Sequence, residues 1–455
     1  MKNIKINNLS FAYEKNNNIL NNINLNLEPG KFYLLSGPTG CGKSTLLKLL
    51  ANLYPKFTGK ITSGSINWNH STYAIMFQNP SQQFTMATAR EEIIFALENL
   101  QKTPPEYENR LKIATKFTQI TNLLDQKIST MSGGEKQRVA LAVLIAMDVD
   151  YLILDEPFAS CDPESRIFLI NKLIQLKKIG KTIILSDHNL NNYQKICDDI
   201  LQYQNNSFIF LSKSEKNKIL KPENIETKLN FSLPSKKDKS AFILNQTSIS
   251  QNRLLLNQKS LSIPQEKITL ITGANGIGKS SFFDTLTKIH PYSGSITYQN
   301  NEISKLKSRK YLLHVAQVFQ NASNQFLKVT VADEINLSKK LCKNNFFSDK
   351  KIQEMLKLLN LDTHLNQIVY SLSGGQQKKL QILLMLLSGH DVLLFDEPLS
   401  GLDKNSSEIV LQLIRETQKE LHQTILIISH QLQEMDKWCD YHLVFANQQL
   451  TYVEN

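Results

Sequence analysis

Two tandem α/β domains, each a parallel sheet built around a phosphate-binding loop, are what this sequence predicts. Three observations carry that expectation. Gly37-Pro38-Thr39-Gly40-Cys41-Gly42-Lys43-Ser44-Thr45 follows the apolar run Phe32-Tyr33-Leu34-Leu35 and precedes Leu46-Leu47-Lys48-Leu49-Leu50, so it reads as strand, glycine-rich turn and helix start. Gly273-Ala274-Asn275-Gly276-Ile277-Gly278-Lys279-Ser280-Ser281 repeats the pattern after Ile268-Thr269-Leu270-Ile271. About 110 residues after each loop an apolar run ends in two carboxylates, Asp155-Glu156-Pro157 and Asp396-Glu397-Pro398.

Length and composition agree. A chain of 455 residues exceeds one ordinary core. With 41% hydrophobic residues it is globular in character. It offers no run of about 18 apolar residues to cross a membrane and no apolar leader after Met1, so an intracellular protein is expected. The five cysteines form no CxxC pair, which argues against iron–sulfur and structural zinc sites. The net charge of +11 comes from lysines spread along the whole chain, without interleaved aromatics, so no nucleic acid partner is expected.

Taken in order, Ile4 to Tyr13 and Ile23 to Leu27 alternate like strands of a small β-region ahead of the first loop. Ser65-Ile66-Asn67-Trp68 and Tyr73-Ala74-Ile75-Met76-Phe77 read as strands after it. Residues 89 to 129 carry helical patterns broken at Pro104-Pro105. Ser132-Gly133-Gly134 opens a further helix running to Met147. Tyr151 to Leu154 and Thr182 to Leu185 are short apolar runs suited to buried parallel strands. The second half repeats this order: Lys279 lies 236 positions after Lys43, and later landmarks recur at 241 or 242. Residues 1–213 and 241–455 are therefore expected to be domains. Residues 214–240, rich in Lys, Asn and Glu with Pro222 and Pro234, are expected to be an exposed linker.

The chemistry follows from residue type and place. Glycines let backbone N–H groups close on phosphate oxygens, and the helix N-terminus adds partial positive charge. Lys43 and Lys279 would reach the outer phosphates of ATP, and Ser44 and Ser280 would ligate Mg²⁺. Asp155 and Asp396 would hold the same ion, while Glu156 and Glu397 would orient or deprotonate an attacking water.

Ser132-Gly133-Gly134-Glu135 and Ser373-Gly374-Gly375-Gln376 stand between each loop and its carboxylates. With them the chain resembles the ATP-binding-cassette (ABC) ATPases, over nearly its whole length except the linker. The resemblance implies two tandem P-loop NTPase domains of ABC type, each a parallel-sheet core with a small antiparallel β-region and a helical subdomain. It implies that the signature serine and glycines bind nucleotide held by the opposite half. It makes Gln78 and Gln320 the Q-loop glutamines that contact Mg²⁺ or water, and His188 and His430 the switch histidines. Ser160-Cys161-Asp162 and Gly401-Leu402-Asp403 fit the D-loop. One composite site would use Lys43, Asp155, Glu156 and His188 with Ser373 and Gly375. The other would use Lys279, Asp396, Glu397 and His430 with Ser132 and Gly134.

Tyr13 stands where the family stacks an aromatic on adenine. Counting back equally from the second loop lands on Ile249, with no aromatic beside it, so weaker nucleotide binding is expected there. Glu135, where Gln is usual, has no assigned effect. Gln78-Asn79-Pro80-Ser81-Gln82-Gln83-Phe84 and Gln320-Asn321-Ala322-Ser323-Asn324-Gln325-Phe326 are similar to the ATPases of energy-coupling-factor importers of vitamins and metal ions. That resemblance implies integral membrane partners whose coupling helices enter the Q-loop grooves, and a place at the cytoplasmic face of the membrane. The alternative is a soluble tandem ATPase acting on the ribosome. The short, proline-bearing linker and the lack of clustered cysteines speak against it.

Overall fold

In the computed structural model, residues 3–13, 18–158, 161, 163–220, 230–235, 237–251, 253–341, 346–430, 432 and 434–454 are described. The chain divides into two compact units, Met1–Asn224 and Ile225–Asn455.

The first unit runs β1 (Ile4–Ala12), β2 (Asn18–Leu27), β3 (Phe32–Ser36), α1 (Lys43–Leu50), β4 (Lys60–Asn67), β5 (Tyr73–Met76), α2 (Ala89–Asn99), α3 (Pro104–Thr118), α4 (Gly133–Met147), β6 (Tyr151–Asp155), α5 (Pro163–Lys178), β7 (Thr182–Ser186), β8 (Asp199–Gln204), β9 (Ser207–Phe210) and α6 (Lys213–Ile219). Its main sheet has the order β5-β6-β7-β3-β8-β9, parallel except at β9. Every residue of β6 and β7 is buried, as strands covered on both faces require. A three-stranded antiparallel sheet, β2-β1-β4, is the small β-region. Helices α2 to α4 share their own core around Ile93, Leu97, Leu111 and Val139. Pro104 and Pro105 do mark the break between helices, because they begin α3 behind Thr103, where the missing N–H costs nothing.

The second unit repeats the plan: β10 (Ser240–Gln251), β11 (Arg253–Pro264), β12 (Ile268–Thr272), α7 (Lys279–Leu286), β13 (Ser293–Tyr298), β14 (Asn301–Glu302), α8 (Ser308–Tyr311), β15 (Val315–Val318), α9 (Val331–Leu341), α10 (Asp349–Leu358), α11 (Gly374–Leu387), β16 (Val392–Asp396), α12 (Lys404–Leu421), β17 (Thr424–Ile428), β18 (Tyr441–Ala446) and β19 (Gln449–Tyr452). Its main sheet, β15-β16-β17-β12-β18-β19, has the same order as the first.

The stretch expected to be exposed linker is packed at both ends. Ser212 caps α6 through a capping box with Glu215, and Leu220 is buried among the core residues of the first unit. Phe231 is buried in the second unit against His442, and the Tyr441 hydroxyl donates to Asp238. Ile219 packs against the same core as Leu220, and burying a Leu or Phe contributes about 1.5–3 kcal/mol. Residues 221–229 and 236 lie outside the described residues. No helix among the described residues is long and apolar enough to cross a membrane.

Both antiparallel sheets contain an irregularity at the same place. Asn8 and Gln246 take positive φ, and opposite them Gly64 and Gly294 have φ of 79° and 89°. A Cβ on Gly294 would sit 2.0 Å from the Gln246 carbonyl oxygen, and one on Gly64 would sit 2.3 Å from that of Asn7. Gly64→Ala and Gly294→Ala are therefore each expected to cost about 2 kcal/mol or more. Calorimetry would show a lowered Tm for either variant; an unchanged Tm would mean that the bulge relaxes freely.

Candidate functional site

The order β5-β6-β7-β3 decides which loops meet. The C-terminal ends of these neighbouring parallel strands carry, in turn, Gln78, Asp155-Glu156, His188 and the first phosphate loop. Ligand sites in open parallel sheets form at such ends. In the second unit β15, β16, β17 and β12 deliver Gln320, Asp396-Glu397, His430 and the second loop in the same way.

Gly42 and Gly278 cap α1 and α7 in the left-handed conformation, at φ of 103° and 119°. The lysine that follows each is buried. Lys43 Nζ donates to the Gly37 and Pro38 carbonyls at 2.7 and 3.0 Å, and Lys279 Nζ to those of Gly273 and Ala274 at 2.7 and 2.9 Å. Each ammonium is thus held inside its own loop, where a phosphate would replace carbonyl partners. The signature turns open α4 and α11 as capping boxes. Glu135 and Gln376 each accept a hydrogen bond from the backbone N–H of the serine three residues earlier, at 2.7 and 2.9 Å. That accounts for Glu135 structurally. A carboxylate or an amide oxygen serves the box equally, and the charge lies at a helix N-terminus.

Around the first carboxylates the polar groups are matched. Ser44 Oγ and Ser186 Oγ both donate to Asp155 Oδ1, at 3.0 and 2.8 Å. Glu156 receives Gln78 Nε2 on Oε2 at 2.7 Å and faces His188 Nε2 from Oε1 at 2.8 Å. Burial, and then the Glu156 charge, push Asp155 above the usual carboxylate range, against the two serine hydrogen bonds. Glu156 stands at φ 45° and Glu397 at φ 50°, strained for a non-glycine residue and repeated in both halves. Sequence reasoning missed Ser186, although it directly precedes Asp187-His188. It also missed a buried cluster beneath His188: Arg166 Nη1 and the Tyr193 hydroxyl reach Asp187 Oδ2 at 2.7 and 2.6 Å, and Arg166 Nη2 reaches the Asn189 carbonyl at 2.6 Å.

The second site is less matched. Ile428 stands at the register position of Ser186, so the bridging hydroxyl is lost. Gln320 is exposed. His430 Nε2 lies 2.8 Å from Asn275 Oδ1 and 3.4 Å from Glu397 Oε1. Among the described residues Glu397 Oε1 has no hydrogen-bond partner. Burial, and then the Asp396 charge, raise Glu397 to about 8. Burial likewise raises Asp396, against a hydrogen bond from Ser280. Lys378, on α11 just past the signature, is buried here and donates to the Gln320 carbonyl at 2.6 Å. Burial lowers it to about 8. Its counterpart in the first half is the neutral Gln137.

Hydroxyl and carboxylate oxygens at Ser44–Asp155 and Ser280–Asp396 are the hard donors that suit Mg²⁺. Among the described residues no group of three or more His, Cys, Asp or Glu could hold a metal. A pair of protein oxygens per site fits an ion that shares its shell with phosphate and water. Of the D-loops, Ser160 and Asp162 lie outside the described residues, while Asp403 caps α12 by accepting from Ser406 N at 2.8 Å.

Tyr13 packs edge-on to Phe11 and Tyr54, with its hydroxyl 2.8 Å from Thr45 Oγ1. The expectation that Ile249 occupies its place is corrected by strand register. Ser10 pairs with Ser63 and Ser248 with Ser293, which makes Gln251 the counterpart of Tyr13 and Ile249 that of the buried Phe11. The hairpin is two residues shorter in the second half, since Ala12 pairs with Asn18 but Ser250 with Leu254. Counting back from the loop therefore overshoots by two. Ser281 Oγ donates to Gln251 Oε1 at 3.4 Å, in the place of the Thr45–Tyr13 contact.

The Q-loop runs are locked by their own side chains. Asn79 and Asn321 accept from Ser81 N and Ser323 N, both at 3.1 Å. Gln83 and Gln325 accept from Phe77 N and Phe319 N, at 3.2 and 3.3 Å. The recurrent polar residues thus make the turn itself.

The profile of the family described as ABC transporter matches residues 20–159 and 256–400. A Bacillus subtilis (strain 168) protein named "Putative HMP/thiamine import ATP-binding protein YkoD" is 28% identical over 98% of this chain and 90% of its own length. A Treponema denticola protein named "Putative ABC transporter ATP-binding protein" is 30% identical, over 97% of this chain and 95% of its own. Among solved structures, the archaeal ribosome recycling factor aABCE1, in complex with the stalk protein aP1, superposes with a TM-score of 0.63 at 21% identity, over 96% of this chain and 87% of that one. At that identity the likeness is one of fold.

Glu397 gives a pH prediction. Its raised value means that the folded state favours the protonated acid. The stability this group contributes is complete below its ordinary value of 4.5 and is lost as pH rises through about 8. Glu397→Gln cannot ionise. It is expected to melt close to wild type at pH 5 and to exceed it at pH 8.5 without nucleotide, by on the order of a few kcal/mol. Equal Tm values at pH 8.5 would contradict the burial described.

Proposed function

The chain belongs to the ABC transporter family, and on that premise we propose that it is the ATP-hydrolysing subunit of a membrane transporter, of the energy-coupling-factor importer type. The cargo class proposed is a vitamin or a metal ion; the name of the Bacillus subtilis relative, an HMP/thiamine import protein, supports the first of these. The chain would sit peripherally at the cytoplasmic face, bound to integral membrane subunits.

The residues divide the work as follows. Lys43 and Lys279, with the N–H groups of their loops, bind the phosphates of ATP. Ser44, Asp155 and Gln78 would hold Mg²⁺ at the first site, and Ser280, Asp396 and Gln320 at the second; the ion, when bound, would supply positive charge to offset that of the phosphates. Glu156 and Glu397 orient the attacking water and take its proton. His188 and His430 hold those carboxylates in place, and Tyr13 stacks on adenine. Ser132, Gly133 and Gly134, with Ser373, Gly374 and Gly375, are further nucleotide-binding residues.

The observation that carries the transporter reading is an exposed apolar patch just past Gln320. Leu327, Val329, Ile368 and Tyr370 are 79%, 63%, 51% and 58% exposed. A hydrogen bond from Val369 N to the Val329 carbonyl and a bridge between Thr330 and Ile368 hold them together. The corresponding positions of the first half are Thr85, Ala87, Lys127 and Ser129. Such a patch supports a helix-in-groove partner.

Two measurements test this. Glu156→Gln and Glu397→Gln, made singly, are each expected to lower ATP turnover by at least about tenfold at the altered site. If either leaves turnover untouched, that site is not hydrolytic. Leu327→Asp with Tyr370→Asp is expected to leave the ATPase activity of the isolated chain unchanged and to abolish its co-purification with membrane subunits in detergent. Retention on ribosomes through a salt wash would favour the soluble reading instead.

A further inference from the structure

The hairpin tip of the second unit places a cation at the rim of its phosphate loop. Gln251 takes the position of Tyr13 and offers no ring. Directly across the hairpin, Arg253 pairs with Gln251 and extends toward the loop, where its Nη2 donates to the Gly276 carbonyl at 2.6 Å. Gly276 lies in the middle of the loop, between Gly273 and Lys279. Arg253 is exposed, and among the described residues no carboxylate forms an ion pair with it. A guanidinium presents five N–H donors in one plane, and a carbonyl takes only one of them. Its fork matches phosphate oxygens, and its charge adds to that of Lys279 on a loop already shaped for an anion.

We propose that Arg253 is a phosphate-binding residue of the second nucleotide site, holding by charge a nucleotide that Gln251 cannot hold by stacking. This inference rests on the reading of the second half as a nucleotide site. It makes the two sites chemically different. The first grips the base through Tyr13; the second grips the phosphates through Lys279 and Arg253, and so depends more on ionic strength.

The test isolates the second site with Lys43→Ala and titrates it with adenylyl imidodiphosphate and Mg²⁺ at low and high salt. Adding Arg253→Gln, which retains a donor for the Gly276 carbonyl but removes the charge, is expected to raise Kd about tenfold at low salt and much less at high salt. Arg253→Lys is expected to fall between the two. The same change on a Lys279→Ala background, which leaves only the first site, is expected to have no effect. An unchanged Kd for Arg253→Gln overturns the inference alone. So does an equal, salt-independent loss for Arg253→Lys and Arg253→Gln, which would mark a residue that merely shapes the loop. No binding at all to Lys43→Ala would overturn the nucleotide-site reading of the second half, and the inference with it.

Discussion

A carboxylate buried at the end of an apolar strand is costly unless donors meet it, and each half of this protein is arranged around that cost. Strand β6 must be apolar to sit in the middle of a covered sheet, yet it delivers Asp155 and Glu156 side by side at its end. Neighbouring strands and loops supply the answer: Ser44 from the phosphate loop, Ser186 from β7, Gln78 from beyond β5 and His188 from beyond β7. The strand order is therefore also the wiring of the site. An altered order would leave two buried charges facing apolar neighbours.

The second half meets the same cost with fewer hydrogen bonds and more charge. Ile428 removes the bridging hydroxyl, Gln320 is exposed, and Glu397 keeps an oxygen without a hydrogen-bond partner among the described residues. The buried Lys378, where the first half has the neutral Gln137, adds a positive charge that acts on Asp396 and Glu397. Hydrogen-bonded and charge-compensated carboxylates respond differently to pH and salt, so duplicated machinery has acquired two distinct physical characters. At the rim of the site, Gln251 stands where the first half has Tyr13, and the cationic Arg253 lies directly across the hairpin from it.

The motif residues were legible because their chemistry is local. A phosphate loop needs its glycines, lysine and serine within nine positions, and Asp-Glu must end a buried strand. Family membership followed from the same short stretches, and the profile match covers both halves. Less legible were the residues whose partners are distant in sequence. Arg166 meets Asp187 and Tyr193 across 21 and 27 positions, and nothing in the sequence near any of them announces a cluster. The segment from 214 to 240 misled because charged residues dominate it, while the few apolar side chains among them, Ile219, Leu220 and Phe231, pack against the cores.

By itself the sequence determined the duplication, the phosphate loops, the carboxylate pairs and the signature turns, since each is set by residue type at fixed spacing. Tertiary structure alone decided which residue stands opposite which. Gln251 replaces Tyr13 because pairing with β13, not distance from the loop, sets the register of β10, and a hairpin shorter by two residues hides that from counting. The inequality of Glu156 and Glu397 is likewise a tertiary fact. Both follow the same apolar strand and Asp, but the donors that meet them arrive from other strands, and only the fold brings those strands together.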